Sequence, residues 1–441
     1  MQMTQIVSRE LQRIARVAAE NKDFCFKNLA TRITKELLYR AYREVRKDGA
    51  VGVDGQTGKE YGETLEANIN SLHQRLREHR YLAPKVKRSW IPKSEKELRP
   101  LGIPTFEDKV VQKAVYLLLE PIYEADFYEF SYGYRPRKRL HECKEYIRKQ
   151  CMFKGMRYII DADISGYFDN IDHAHLREFL KRRVVDGGIH SLIGKWLNAG
   201  VLDQGEVTYP ESGTPQGGVI SPLLANVYLH YALDEWFVKI VTPRMRGQVF
   251  LARVADDFII GCQREEDAKR IMEVLPKRMA KYGLTIHPTK TSLKDFGIPK
   301  PGEAKGRGTF DFLGLSYYWG RTRKGRWVVQ VKTAPKRLAR TLKRIAKWCK
   351  ENRHAPLRKQ YEKLSAQLRG HYNYYGVTFN ARSLWQVHWQ TTAIWLKWLN
   401  RRGGRRWTWQ KWHILLRRYF PLPRPRIVHS FMRLNRQLCF A

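Results

Sequence analysis

The sequence has no Cys-x-x-Cys pair, and its six cysteines are scattered. Neither a zinc ribbon nor a disulfide framework is expected, and the thiols read as reduced, as in cytoplasm. No apolar run reaches membrane-spanning length. The first twenty residues carry Glu10 and Glu20 and no apolar h-region, which argues against a secretory or transit leader. There is no internal repeat and no low-complexity segment, so solenoid architectures are excluded. Acidic residues are scarce at one end: of 43 Asp and Glu, only Glu351 and Glu362 lie beyond residue 320.

Basic residues are abundant where the acids are missing. Lys and Arg total 82, and 30 of them fall in residues 321–441, giving that stretch a net charge of +28. The first 320 residues hold 52 basic and 41 acidic side chains. An acid-poor run of this kind repels itself unless a polyanion neutralises it, so the last quarter reads as a nucleic-acid clamp. The earlier part has carboxylates to spare and reads as an enzyme body. With 441 residues, 43% of them hydrophobic, the chain can build two or three domains.

Periodicity places the elements coarsely. Residues 1–48 read as helical, and Gly49–Gly55 as a structural loop rather than a phosphate loop, since no Lys-Ser/Thr follows its glycines. Residues 86–105 read as a strand pair turning near Ser94–Lys96, and Asp108–Leu119 as a helix. Tyr158–Asp163 is an apolar strand, Val249–Gly261 a strand–turn–strand, and Glu265–Tyr282 an amphipathic helix stopped by Gly283. Strands mixed with helices predict an α+β sheet with helices on one face. Residues 299–308 read as an exposed loop. Helices are expected over Ala334–Cys349, from Leu357 through Leu368, and from Leu384 through Leu399. They would form a three-helix domain in which Trp348, Trp389 and Trp395 are buried.

The sharpest local signal is Val254-Ala255-Asp256-Asp257 between the apolar runs Phe250-Leu251 and Phe258-Ile259-Ile260. Adjacent aspartates at the tip of a buried hairpin repel one another and lose hydration, and a divalent cation offsets both penalties. Asp-Asp is also an ordinary turn sequence. A further strand supplies Asp161 and Asp163, two residues apart and so on one face. Such a carboxylate set suits two-metal phosphoryl transfer with Mg²⁺. The spacing leaves open which of Asp161 and Asp163 is the ligand.

Asp163-Ile-Ser-Gly-Tyr-Phe168-Asp169-Asn, Gly213-Thr-Pro-Gln216-Gly217-Gly218 and Ala255-Asp256-Asp257 follow one another in the order and spacing of reverse transcriptase palm motifs. Ile91-Pro-Lys93, Arg99-Pro-Leu-Gly-Ile-Pro104 and Ser131-Tyr-Gly-Tyr-Arg-Pro136 look like the fingers of group II intron enzymes, and Gly49–Gly55 like their N-terminal extension. Tyr282-Gly-Leu284, Lys290 and Phe312-Leu-Gly314 are similar to their later palm blocks. Over about residues 35–430 the chain thus resembles the reverse transcriptase–maturases encoded by group II introns.

That resemblance implies a right-hand polymerase: an N-terminal extension and start of the fingers over 1–85, and fingers and palm with an antiparallel sheet over 86–320. An all-α three-helix thumb or maturase domain over 321–426 and a short tail over 427–441 would follow. It makes Asp163, Asp256 and Asp257 the catalytic, metal-holding triad for two Mg²⁺ ions. Phe168 matches the steric gate against a 2′-hydroxyl. Gln216 matches the residue lying against the nucleotide sugar and base. Lys93 and Arg99 match the residues that neutralise its triphosphate, and Lys290 sits on a later palm strand near the site. Asp161 would be a neighbour of the metals. Val254 stands where the family usually has an aromatic residue against the primer end, which bears on fidelity.

Nine of the thirteen tryptophans lie at or beyond Trp327, interleaved with Arg and Lys. Arg401, Arg402, Arg405 and Arg406, with Arg424 and Arg426, are candidates for RNA contact through phosphate pairing and base stacking. Leu368–Gly376 and Phe420–Arg426 look like the maturase domain. No Cys/His cluster suggests a zinc-type endonuclease. The implied partners are group II intron RNA, an RNA template with a DNA primer, dNTPs and target DNA. No membrane is implied, and a homodimer is one assembly open to such a chain. The expected setting is a nucleoid-associated ribonucleoprotein in bacterial cytoplasm. Two other functions share these motifs: a domesticated polymerase of phage defence or repair, and an RNA-binding splicing cofactor with a silent palm.

Overall fold

A computed structural model describes residues 2–92, 97–203, 206–209, 212–214, 217–299, 308–404 and 406–431. The chain opens with α1 (Gln2–Glu20), α2 (Lys35–Glu44), α3 (Gly58–Glu63) and α4 (Leu65–Arg77), then strands β1 (Val86–Pro92) and β2 (Leu98–Ile103). Next come α5 (Phe106–Glu124), α6 (Leu140–Phe153), β3 (Tyr158–Ala162), β4 (Ile164–Ser165), α7 (His173–Lys181) and α8 (Gly187–Leu197). β5 (Val201–Asp203), β6 (Glu206–Thr208) and α9 (Ser221–Leu229) lead to the hairpin β7 (Val249–Val254) and β8 (Asp257–Cys262). α10 (Glu265–Ala280), β9 (Thr285–Ile286), β10 (Ser292–Asp295), β11 (Phe310–Phe312), β12 (Leu315–Arg321) and β13 (Trp327–Thr333) follow. The chain closes with α11 (Pro335–Glu351), α12 (Leu357–Tyr375), α13 (Ala381–Leu399) and α14 (Trp409–Arg418). Among the described residues no helix is long and apolar enough to cross a membrane.

Local chemistry explains where helices begin. Thr34 and Thr105 cap α2 and α5 by accepting from the backbone N–H groups of Leu37 and Asp108. Thr57 and Glu60 form a capping box on α3. Residues 49–55 form no helix or strand, and Gly52 packs against the backbone of Thr105, as a structural loop should.

The central sheet runs β10-β3-β8-β7, all antiparallel. The runs Phe250-Leu251-Ala252 and Phe258-Ile259-Ile260 do not alternate with polar residues, so both faces of the sheet are buried. Ile160, Ile260, Leu251 and Phe258 join the core that contains Ile271 and Leu275 of α10. Ile159, Ile259, Phe250 and Ala252 join a second core with Ile147 of α6 and the sheet β11-β12-β13. The expectation of helices on one face is therefore corrected: a helix packs on each.

β1 and β2 pair antiparallel from Lys87↔Ile103 to Pro92↔Leu98, and the turn expected at Ser94–Lys96 lies outside the described residues. β1 also pairs with β5, in parallel, so this sheet is mixed rather than antiparallel throughout. Ser131 bridges Arg253, which sets the Ser131–Gly133 segment beside β7.

The C-terminal region departs from three helices. β12 and β13 pair across the expected boundary at 320/321, so the helical region begins at Pro335. α14 adds a fourth helix, and its fully buried Trp412 packs edge-on against Trp395 of α13, centroids 4.8 Å apart. Trp348 is half-buried and Trp389 is 55% exposed. Trp389 is five residues from core-facing Leu384, roughly 140° round an α-helix, so periodicity turns it outward despite its hydrophobicity. After α14 the chain returns to the second core. Val377 bridges His429, and Phe431 is buried among Phe310, Tyr317 and Ile147.

Candidate active site

Strand register brings the three aspartates to one end of the central sheet. The β3–β8 ladder ends at Ala162↔Phe258, so Asp163 and Asp257 face each other one step beyond it. Asp256 occupies the two-residue turn that joins Val254 to Asp257. Its neighbour Ala255 has φ +57°, in the left-handed region. A Cβ on Gly133 would lie 2.2 Å from the Ala255 nitrogen, so only glycine fits beside this turn.

Asp163, Asp256 and Asp257 line a cleft of about 1100 Å³ together with Phe168, Arg99, His287 and Lys290. Arg337 and Arg340, from the first turns of α11, close another side. Burial pushes the Asp257 carboxyl up to about 6, and the charges of Asp256, Asp163 and Asp161 add to the effect. Burial also raises Asp256, against a backbone hydrogen bond and the nearby Arg99. Asp161 is pushed up to about 6, first by burial, but it does not line the cleft. Asp161 is thus a neighbour whose charge Asp257 feels.

The crowded, half-dry carboxylates favour a bound cation. Lys290 supplies one, its Nζ donating to Asp163 Oδ2 at 2.7 Å. It lies on a turn before β10, not on a strand. Among the described residues no group of three or more His, Cys, Asp or Glu side chains is gathered closely enough to hold a metal ion by itself. An open, all-oxygen set still fits Mg²⁺, which keeps waters and takes substrate phosphates as ligands.

The floor of the cleft is built from two motifs that interlock. Phe168 is half-buried against the first core, and its ring meets Tyr167 edge-on with centroids 5.4 Å apart. Its carbonyl accepts from Thr214 N at 2.8 Å, and Gly213 N donates to Ile171 O at 2.8 Å. Gly213 has φ +90°, and a side chain there would strike the carbonyls of Phe168 and Asp169 at 2.9 Å. Lys93 and Gln216, two of the expected nucleotide contacts, lie outside the described residues. Arg99, on β2, lines the cleft.

Arg337 and Arg340 were not singled out from sequence. The available signal was their position in the opening turns of a strongly basic amphipathic helix, which says nothing about what those turns face. The expected RNA contacts fall in two places, neither lining the cleft. Arg402 and Arg406 border a small pocket with Lys411, and Arg401 stacks over Trp398 at 5.2 Å. Arg424 and Arg426 are exposed on the extended segment after α14, where Arg426 reaches Asn373 of α12 at 3.3 Å. Arg405 lies outside the described residues.

Residues 91–317 match the family model described as "Reverse transcriptase (RNA-dependent DNA polymerase)". Among curated proteins, the group II intron-encoded protein LtrA of Lactococcus lactis subsp. cremoris is 34% identical over 281 residues, covering 61% of this chain and 46% of LtrA. Protein YkfC of Escherichia coli is 33% identical over 287 residues, covering 58% of this chain and 75% of YkfC. Nuclear intron maturase 1 of Arabidopsis thaliana matches over 90 residues at 32% identity, 20% of this chain and 12% of that protein. The chain therefore spans about half the length of LtrA. The matched region contains all three cleft aspartates, and on that footing the chain belongs to the reverse transcriptase family, among the group II intron-encoded proteins.

Proposed function

We propose that the protein is an RNA-directed DNA polymerase and an intron maturase, which binds group II intron RNA, assists its splicing and copies it into DNA. The observation that carries the polymerase reading is the convergence of Asp163, Asp256 and Asp257 in a cleft that Arg99, Lys290, Arg337 and Arg340 also line.

In this reading the central sheet is the palm, the β1–β2 sheet belongs to the fingers, and α11–α14 are the thumb and maturase region. Asp163, Asp256 and Asp257 would hold two Mg²⁺ ions, whose chemistry there would be Lewis-acid activation of the primer 3′-hydroxyl and charge stabilisation at the leaving oxygen. Arg99, Lys93 and Lys290 neutralise the triphosphate of the incoming dNTP. Phe168 stands where a 2′-hydroxyl would come, and Gln216 lies against the sugar and base. Lys290, which donates to Asp163 Oδ2, would be free to turn to the nucleotide if cations took its place at that carboxylate. Arg337 and Arg340 bring the thumb's positive charge to the backbone of the RNA template and DNA primer. Arg401, Arg402, Arg405, Arg406, Arg424 and Arg426 grip intron RNA outside the cleft.

RNA-templated extension of a DNA primer tests the polymerase reading. The purified chain should extend the primer with dNTPs, stop on addition of EDTA and resume with excess Mg²⁺. A folded preparation with no extension under any divalent cation would contradict it.

A further inference from the structure

Arg253 is a charged side chain in the middle of an apolar strand, and it is fully buried. Its guanidinium makes four hydrogen bonds. Nε donates to Asp234 Oδ1 at 2.8 Å and Nη2 to Asp234 Oδ2 at 2.5 Å. Nη1 donates to Asn226 Oδ1 at 3.0 Å and to the carbonyl of Ala255 at 3.0 Å. Asp234 is equally buried, so this ion pair is fully withdrawn from solvent. Asn226 passes the connection on, its Nδ2 donating to Gly133 O at 2.7 Å. Gly133 in turn lies against the Ala255 nitrogen. The main chain of Arg253 holds the same segment from the other side, through Tyr132 N to Arg253 O and Arg253 N to Phe130 O.

A buried ion pair adds little to stability by itself, because desolvation offsets most of the attraction. This one ends on a particular carbonyl. Ala255 is the left-handed residue of the turn that carries Asp256, and such a conformation persists only where its surroundings hold it. The far end of the network is also unusual. Asn226 lies in α9, and Asp234 ends a π-helical turn over His230–Asp234 that continues α9, a rewinding common at functional sites.

We propose that Arg253, clamped by Asp234 and Asn226, is a positioning residue that sets the Ala255–Asp256 turn and so fixes where Asp256 and Asp257 present their carboxylates to metal. Lysine cannot replace it. One ammonium has three donors and no planar fork, so it cannot hold both Asp234 oxygens and still reach Asn226 and the turn. The inference rests on the proposed polymerase reading of the cleft, and its test is arranged so that the two can fail separately.

The variants are Arg253→Lys, which keeps a cation opposite Asp234, and Asn226→Ala, which leaves the Asp234 ion pair intact and removes the hydrogen bonds from Arg253 Nη1 and to Gly133 O. Asp256→Ala is the control. Three quantities are measured per folded molecule: Mn²⁺ binding by electron paramagnetic resonance, without nucleotide or nucleic acid; the Mg²⁺ dependence of primer extension; and KM for template–primer. Arg253→Lys should weaken Mn²⁺ binding several-fold, raise the Mg²⁺ concentration for half-maximal rate and lower kcat on the order of tenfold to a hundredfold. KM for template–primer should stay unchanged. Asn226→Ala should move the same quantities in the same direction by less. Should Arg253→Lys not fold, Asn226→Ala carries the test alone. Wild-type Mn²⁺ affinity and Mg²⁺ dependence per folded molecule, in whichever variants fold, would overturn the inference and leave Arg253 as core. Loss of extension in Asp256→Ala beside an unaffected Arg253→Lys would spare the polymerase reading. Absence of extension in the wild type would remove that reading while the Mn²⁺ titration still judged Arg253.

Discussion

At one end of the central sheet, Asp163, Asp256 and Asp257 crowd a cleft where burial and neighbouring carboxylates make Asp256 and Asp257 harder to ionise. On α11 the seven basic residues Lys336, Arg337, Arg340, Lys343, Arg344, Lys347 and Lys350 are all exposed, over a core of Ile345 and Cys349. Both regions concentrate like charge, but they handle it differently. The carboxylates are held close by strand register and a rigid turn, and Lys290 pairs only with Asp163 among them, so their repulsion is only partly relieved before small cations arrive. The cations of α11 are solvated and spread along a helix, so their repulsion is screened and is relieved by an extended polyanion. On the proposed reading, one arrangement would take a compact divalent ion and the other a long phosphate backbone. The regions meet where Arg337 and Arg340 enter the carboxylate cleft.

The contrast can be broken first at the basic end. If the exposed cations release counterions on binding RNA, affinity for structured RNA should drop by roughly a thousandfold between 50 and 200 mM salt. A nearly flat plot of log affinity against log salt, from filter binding, would show that the charge is not the grip.

A narrower effect is expected beside the carboxylates. Phe168→Ala opens the floor of the cleft where a 2′-hydroxyl would come, so single-nucleotide incorporation should show ribonucleotide discrimination falling about tenfold or more. Unchanged discrimination would leave Phe168 as a core aromatic packed on Tyr167.

The smallest effect tests the repulsion itself. Asp257→Asn removes a charge that burial and three neighbouring aspartates disfavour. In metal-free buffer the variant should melt about one degree higher than wild type, the shift that roughly 1 kcal/mol produces in a chain of this size. Adding Mg²⁺ should then stabilise the wild type more than the variant. A lower melting temperature in EDTA would mean that the cluster is not strained without metal.

Much of this contrast was legible in the sequence because its signals are local. The Asp256–Asp257 hairpin announces itself by two apolar runs around a polar pair, and α11 by cations on all but one stripe. What was hidden depends on partners distant in the chain. Val86 pairs in parallel with Val201, and nothing near either residue encodes the other. The lack of a side chain at Gly133 is explained only by the Ala255 turn. Phe431 returns to a core built from α6 and β11–β13, which no helical periodicity could show. Trp389 was misplaced for a different reason: its phase on α13 already pointed outward, and hydrophobicity was given more weight than phase. Arg253 carried a local signal, a charge within an apolar strand, but its meaning needed the positions of Asp234 and Asn226.

The separation of the two regions is tested most directly by Asp256→Ala, assayed for DNA synthesis and for intron RNA binding on one preparation whose folding is checked by thermal melting. The account predicts that primer extension falls at least roughly a thousandfold, about 4 kcal/mol, while RNA affinity stays at the wild-type value. Retained extension would contradict the assignment of the metal-holding carboxylates, and joint loss of both activities in a well-folded variant would contradict the division between the acidic cleft and the basic helices.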